Sequence, residues 1–165
     1  MVSNKVEFPI LTMSSSMSLA AVAIVLTLMF FISGVDKVMH FNKVVVGFEK
    51  RFPVEMPRFF AQVAIVIAIV VELVAPCALI YAATKTGPAR TTGPARTTGP
   101  STKPNTPLTW TKHLGGVAAL SLAIFTVAAT LIYHFPPFGH QYYPFMSNLT
   151  TVGGLLLMVW IFYYL

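Results

Sequence analysis

Charged side chains in this chain are spaced so that long uncharged intervals lie between them, each dense in Leu, Ile, Val, Ala and Phe. Nothing is charged between Glu7 and Asp36, and the dense part of that interval begins at Met17. From Arg58 to Lys85 the run FFAQVAIVIAIVVELVAPCALIYAAT is broken only by Glu72. His113 and His134 bracket LGGVAALSLAIFTVAATLIY, and no charge falls between Ser147 and Leu165. Crossing a hydrocarbon layer ~30 Å thick takes roughly 20 mostly apolar residues in a helix. The pattern therefore predicts an all-α membrane protein with four transmembrane helices in a bundle, over about 17–35, 59–83, 114–134 and 147–165. Trp160, Tyr163 and Tyr164 supply an interfacial aromatic girdle at the end of the fourth. Lys5 ahead of the first apolar run is also how a signal peptide begins. The run is about twice as long as the apolar region of such a peptide, and Phe31-Ile32-Ser33-Gly34 makes a poor cleavage site, so a retained helix is expected.

Small residues are scattered through these segments where a water-soluble core would carry Leu. In lipid, helices associate by close packing of small side chains, and Gly115, Ala119 and Ala123 recur at four-residue spacing on one face of the third helix. That face is expected to pack.

The connection from Val35 to Pro57 alternates charged and apolar residues. Val38, Phe41, Val44, Val45 and Phe48 fall near a 3.6-residue period among Lys37, Lys43, Lys50 and Arg51, the pattern of a short helix at the membrane surface; a solvated loop is the alternative. The connection over 84–107 contains an internal repeat, TGPART followed by TGPART and a decayed third copy, TGPS. A six-residue period of Gly, Pro and Thr has nothing to bury, which predicts a flexible linker and not a solenoid.

Composition agrees with the pattern: 56% of the 165 residues are hydrophobic and 10% are charged, against about 25% charged in a soluble domain, and mean hydropathy is +0.74. A soluble enzyme with one anchor is excluded by the even spread of hydropathy. The formal charge of +6 could favour anionic lipid headgroups through Lys85, Arg90, Arg96 and Lys103; no folded domain presents these charges to nucleic acid, so no nucleic-acid partner is expected. The single Cys, Cys77, cannot form a disulfide framework or a CxxC site. Orientation follows the Lys/Arg bias of the connections. Six basic residues lie on the side of the amino terminus and five on the other, which places both termini in the cytoplasm by a margin of one.

Glu72 is the one charged side chain deep in a span. It falls about 21 Å along a helix beginning at Phe59, somewhat beyond the midplane at ~1.5 Å rise per residue. An ionised carboxylate in hydrocarbon costs several kcal/mol, so Glu72 should face the bundle and pair, hydrogen-bond or hold a proton. Ala61, Ala68 and Ala75 fall on its side of the helix, and Val63, Ile67, Val70 and Val74 on the opposite side. Pro76 cannot bond the carbonyl of Glu72, which frees an acceptor beside the acid. Two readings stay open. Glu72 is a catalytic, proton-holding or ligand-binding residue, or it is a structural acid bonded to Thr27, Ser33, Thr126 or Thr130. Asp36 and Lys37 mark the end of the first helix, where Lys37 either snorkels to the interface as an anchor or joins Glu72 in the bundle interior. His40, His134 and His140 share one side of the membrane, but no helical His pair supports a metal or haem site, so no metal is expected. Asn148-Leu149-Thr150 matches a glycosylation pattern at a helix start, where a loop acceptor is required, and is read as coincidence.

The first helix ends FFISGVDKVMHF, the second contains VELVAPCALIYAA, the third reads GGVAALSLAIFTVAATLIYHF and the fourth holds LTTVGGLLLMVW. This set resembles the DoxX family of small four-helix membrane proteins, which show a Phe-x-x-Ser/Ala-Gly-x-x-Lys end to helix one and a Glu within helix two. Phe30, Gly34, Lys37 and Glu72 match that pattern, and His134 matches a frequent polar position closing helix three. The likeness runs from about Leu19 to Trp160, with the repeat linker as an insertion. Taken with Pro76, which the residues themselves place beside the acid, this makes Lys37, Glu72, Pro76 and His134 the candidates for a bundle interior or binding site. Related members include subunits of a thiosulfate–quinone oxidoreductase and, more distantly, membrane chaperones, so the resemblance does not settle an activity. The expectation is a subunit or assembly helper of a larger membrane complex, partnered by the lipid bilayer and by other membrane proteins or further copies of itself. The alternative is a quinone-binding component of a membrane oxidoreductase, with quinone as its ligand. A small-molecule or proton carrier is the third class. No flavin, haem or iron–sulfur ligand set is present in the sequence.

Overall fold

The computed structural model describes residues 15–51, 56–86 and 106–164, and all of the following concerns these. Five α-helices account for most of them: α1 (Ser15–Met39), α2 (Phe41–Glu49), α3 (Arg58–Lys85), α4 (Thr106–Tyr133) and α5 (Tyr142–Tyr164), with a single 3-10 turn at Gly139–Gln141. Spans within α1, α3 and α4, and a fourth running from that turn through α5, are long and apolar enough to cross a membrane. The molecule is a multi-pass, all-helical membrane protein, as the spacing of charges predicts.

The helix ends differ from expectation in an informative way. α1 continues to Met39, one turn past the expected end, so Asp36 and Lys37 lie within it and not beyond it. His40 alone breaks the helix, at φ −116° and ψ 30°. Backbone bonds from the His40 N–H to the Asp36 carbonyl and from the Val44 N–H to the His40 carbonyl bridge the joint, so α2 follows α1 almost without interruption. α4 begins at Thr106, inside the stretch expected to be linker, and α5 begins at Tyr142, five residues early, so Asn148 and Thr150 lie within a helix. Apart from Thr86, which caps α3, the TGPART repeats fall outside the described residues. α4 stops before Phe135-Pro136-Pro137 because proline cannot continue the ladder. The next turn passes through Gly139 at φ +57°, a conformation that suits glycine.

α1 packs along α3, α3 on α4 and α4 on α5, while α1 and α5 touch only briefly. The main core joins Phe162, Leu155 and Met158 of α5 to Leu122, Ala119 and Ala123 of α4 and Leu79 and Ala82 of α3. Small residues make these contacts close. A Cβ on Gly115 would stand 2.6 Å from the Phe162 ring and 2.8 Å from Ala82 Cβ. Gly115, Ala119 and Ala123 are all buried, which confirms the packing stripe.

α2 is not a free interfacial helix. Val45 and Phe48 are buried against Ala61 and Ile65 in the first two turns of α3, and Phe48 also meets the Tyr133 ring. The outward faces of the bundle carry Val25, Val70, Val74 and Ile124, each more than half exposed, as suits a lipid contact. Exposed aromatics collect at both ends: Phe59, Phe60, Tyr142 and Tyr143 near α2, and Trp110, Trp160 and Tyr164 at the opposite end. Such belts belong at the two membrane–water interfaces.

Candidate functional site

Glu72 faces the bundle and is 3% exposed, while Val70 and Val74 on the same helix are 53% and 60% exposed. The face assigned from the sequence is therefore the buried one. Ala61 and Ala68 lie on it, and Val63 and Ile67 lie on the lipid side.

The partner of the acid is Lys37. Its Nζ lies 2.8 Å from both Oε1 and Oε2 of Glu72, and it donates a third hydrogen bond to Ser33 Oγ. Ser33 in turn donates to Glu72 Oε1 at 3.1 Å. Lys37 does not snorkel to the surface, and the reason is geometric. Side chains on an α-helix lean toward its amino terminus, so a lysine in the last turn of α1 reaches back to Ser33, one turn earlier, and into the bundle. The lateral approach is allowed by Gly34, where a Cβ would meet Leu73 Cδ2 at 2.8 Å and Glu72 Cβ at 3.2 Å. Of the four hydroxyls considered as partners for Glu72, only Ser33 serves. Thr27, Thr126 and Thr130 each donate to the carbonyl four residues earlier on their own helix, at 2.7, 2.7 and 2.6 Å.

The three side chains form a closed network. Lysine has three donors, and all three are engaged. A carboxylate has about four acceptor sites. Lys37 and Ser33 fill both on Oε1, whereas among the described residues Oε2 accepts only from Lys37 and keeps one site open. Charge compensation and full donor satisfaction are what make such a pair tolerable away from water.

The network stands in the wall of a cleft of about 530 Å³, within the range of ligand sites. All the lining elements meet at the α2 end of the bundle: the last turns of α1 and α4, the first half of α3 and the start of α5. Phe30, Ile65, Phe125 and Ile132 make apolar walls, and Tyr133, His134, Asn148 and Thr151 add polar groups to the lining. Lower in the bundle α1 meets α5 where Leu26 covers Gly154, with Leu26 Cδ2 at 2.8 Å from the position of an added Cβ. Nearer α2 the cleft separates these two helices, with Met29 and Ser33 on one side and Ser147 and Thr151 on the other.

His134 reaches the cleft as expected from its place at the end of the third span. Its Nδ1 is 2.7 Å from Gln141 Oε1, within hydrogen-bond distance. Pro76 does not line the cleft. It is buried in the bundle interior one turn further along α3, toward the other end, while Lys37, Glu72 and His134 line the cleft. Tyr133, Asn148 and Thr151 are lining residues that the sequence did not mark as a site, because tyrosine beside the interface and polar residues at a helix start are ordinary in any membrane helix. Among the described residues no group of three or more His, Cys, Asp or Glu side chains stands close enough to hold a metal ion. His40 is engaged by Asp36, with Nδ1 at 3.0 Å from Oδ1.

Compared with protein-family models, with curated proteins and with solved structures, the chain matches none. The assignment of a role therefore rests on the site itself.

Proposed function

We propose that the chain is a DoxX-like membrane protein that serves as a subunit of a larger membrane assembly and contributes to it a binding site for a lipid-soluble molecule of the quinone class. The observation that carries this reading is the Lys37–Glu72–Ser33 network in the wall of a cleft large enough for a ring system. The residues present fit such a ligand. A quinol hydroxyl would donate to the remaining acceptor site of Glu72 Oε2, and a quinone carbonyl would accept from Lys37 in exchange for Ser33. The ring would lie between Phe30, Ile65, Phe125 and Ile132, with its tail leaving between α1 and α5 toward the acyl chains. A bound quinone would supply the redox chemistry. The chain's own residues bind the head and exclude water from it, and the Glu72 carboxylate would take the proton of a quinol hydroxyl.

The likeness of FFISGVDK and VELVAPCA to the DoxX pattern supports the same residues, since Lys37 and Glu72 are the positions that it marks. The excess of one basic residue on the side of the amino terminus supports cytoplasmic termini. Titration of the purified full chain with a quinone analogue should show saturable binding that Glu72→Gln abolishes while the variant remains folded. Absence of saturable binding to the unaltered chain would overturn the quinone reading. Recovery of a stoichiometric membrane partner in mild detergent, with no quinone bound, would favour the assembly-helper role alone.

A further inference from the structure

At the mouth of the cleft a second pocket of about 350 Å³ opens between α2 and the end of α4, sharing Asp36, Val44 and Tyr133 with the first. Its other walls are His40, Lys43, Gly47 and Arg51. We propose that this vestibule is a binding site for the phosphate of an anionic phospholipid, which would lie across the entrance of the cleft.

Three observations carry the assignment. The vestibule holds more positive than negative charge. Asp36 is its one acid and is engaged by the His40 imidazole at 3.0 Å, while neither Lys43 nor Arg51 has an acidic partner among the described residues. Arg51 is held in place by the Tyr133 ring, with its guanidinium carbon 5.2 Å from the ring centroid, so a planar cation stands over the shared wall of the two pockets. Gly47 leaves one side open, with no atom within 4 Å of where its Cβ would be. Guanidinium and ammonium groups converging on an open pocket are the chemistry that recognises phosphate.

Placement selects a lipid over other phosphate carriers. α2 packs on the first two turns of α3, beside the exposed ring pair of Phe59 and Phe60, and this aromatic belt marks the headgroup level. Val46 next to the pocket is exposed, and the neighbouring cleft is apolar, so an acyl chain has a surface to follow from the same point.

The test is lipid binding by the full-length protein in detergent, read by native mass spectrometry with phosphatidylglycerol, phosphatidylcholine and inorganic phosphate as separate probes. Phosphatidylglycerol should bind in preference to phosphatidylcholine. The double variant Lys43→Gln, Arg51→Gln should weaken that binding roughly a hundredfold, at about 1.5 kcal/mol for each hydrogen bond to a charged group that is lost. Lys50→Gln with Arg58→Gln removes the same charge at the same membrane level outside the pocket, and should leave the preference within about threefold. Both double variants are checked for folding by their elution volume and tryptophan fluorescence. If the double variants lose binding equally, the attraction is diffuse surface charge and the site is refuted. If inorganic phosphate displaces the lipid at equal concentration, the pocket takes a free anion and the lipid assignment fails.

Discussion

The Lys37 ammonium lies 2.8 Å from both carboxylate oxygens of Glu72, so the last turn of α1 is tied to the middle of α3 by an ion pair whose carboxylate is 4% exposed. Removing one member leaves the other charged and without a partner in a low-dielectric surround, whereas removing both leaves none. Lys37→Met and Glu72→Met should each destabilise the folded bundle by about 3–5 kcal/mol. The double variant Lys37→Met, Glu72→Met should recover most of that loss. Reversible unfolding in mixed micelles measures this, and additive losses would show that the pair is not coupled.

Ser33 contributes a smaller and separable amount. It accepts from Lys37 and donates to Glu72, so Ser33→Ala removes two bonds and leaves one lysine donor unmet. A loss of about 1–3 kcal/mol is expected, smaller than that of either charged residue in the same unfolding experiment.

Helix packing makes a sharper contrast between two glycines. A methyl at Gly115 would collide with the Phe162 ring and Ala82, while one at Gly153 would meet nothing within 4 Å. Gly115→Ala should destabilise by about 1–3 kcal/mol, and Gly153→Ala should be neutral or slightly stabilising, since alanine is the better helix former.

Filling the cleft separates binding from folding. Ala129 is half-buried and lines the cleft. Ala129→Phe should abolish binding of a quinone analogue with little change in stability, because the ring enters space that holds no side chain. Equal losses of binding and stability would place Ala129 in the packed core.

The exposure of α3 is testable by spin labelling in a Cys77→Ser background, where the native exposed thiol is removed. Labels at Val70 and Val74 should be accessible to dissolved oxygen in the bilayer, and a label at Ala68, 8% exposed, should be shielded. Equal accessibility at all three would reverse the orientation of the helix.

Charge spacing and helical period were enough to determine four spans, the small-residue face of α4 and the inward direction of Glu72. Each follows from one segment alone, because an uncharged run of about 20 residues has no other way to satisfy its backbone in lipid and a carboxylate in a ring of valines can face only one way. The partner of Glu72 was beyond that reach. Lys37 at the end of its span reads as an anchor when helix ends are aligned, but α2 continues the line of α1 along the first turns of α3, so α3 extends past the end of α1 and Glu72 comes level with Ser33 and Lys37. The three threonines illustrate the same limit: their depth was right, but each hydroxyl found a nearer acceptor on its own helix. The cleft belongs wholly to the tertiary structure. It exists because α1 and α5 meet at Leu26 and Gly154 and are apart above that contact, a spacing decided by four helices packing together and by no residue in isolation.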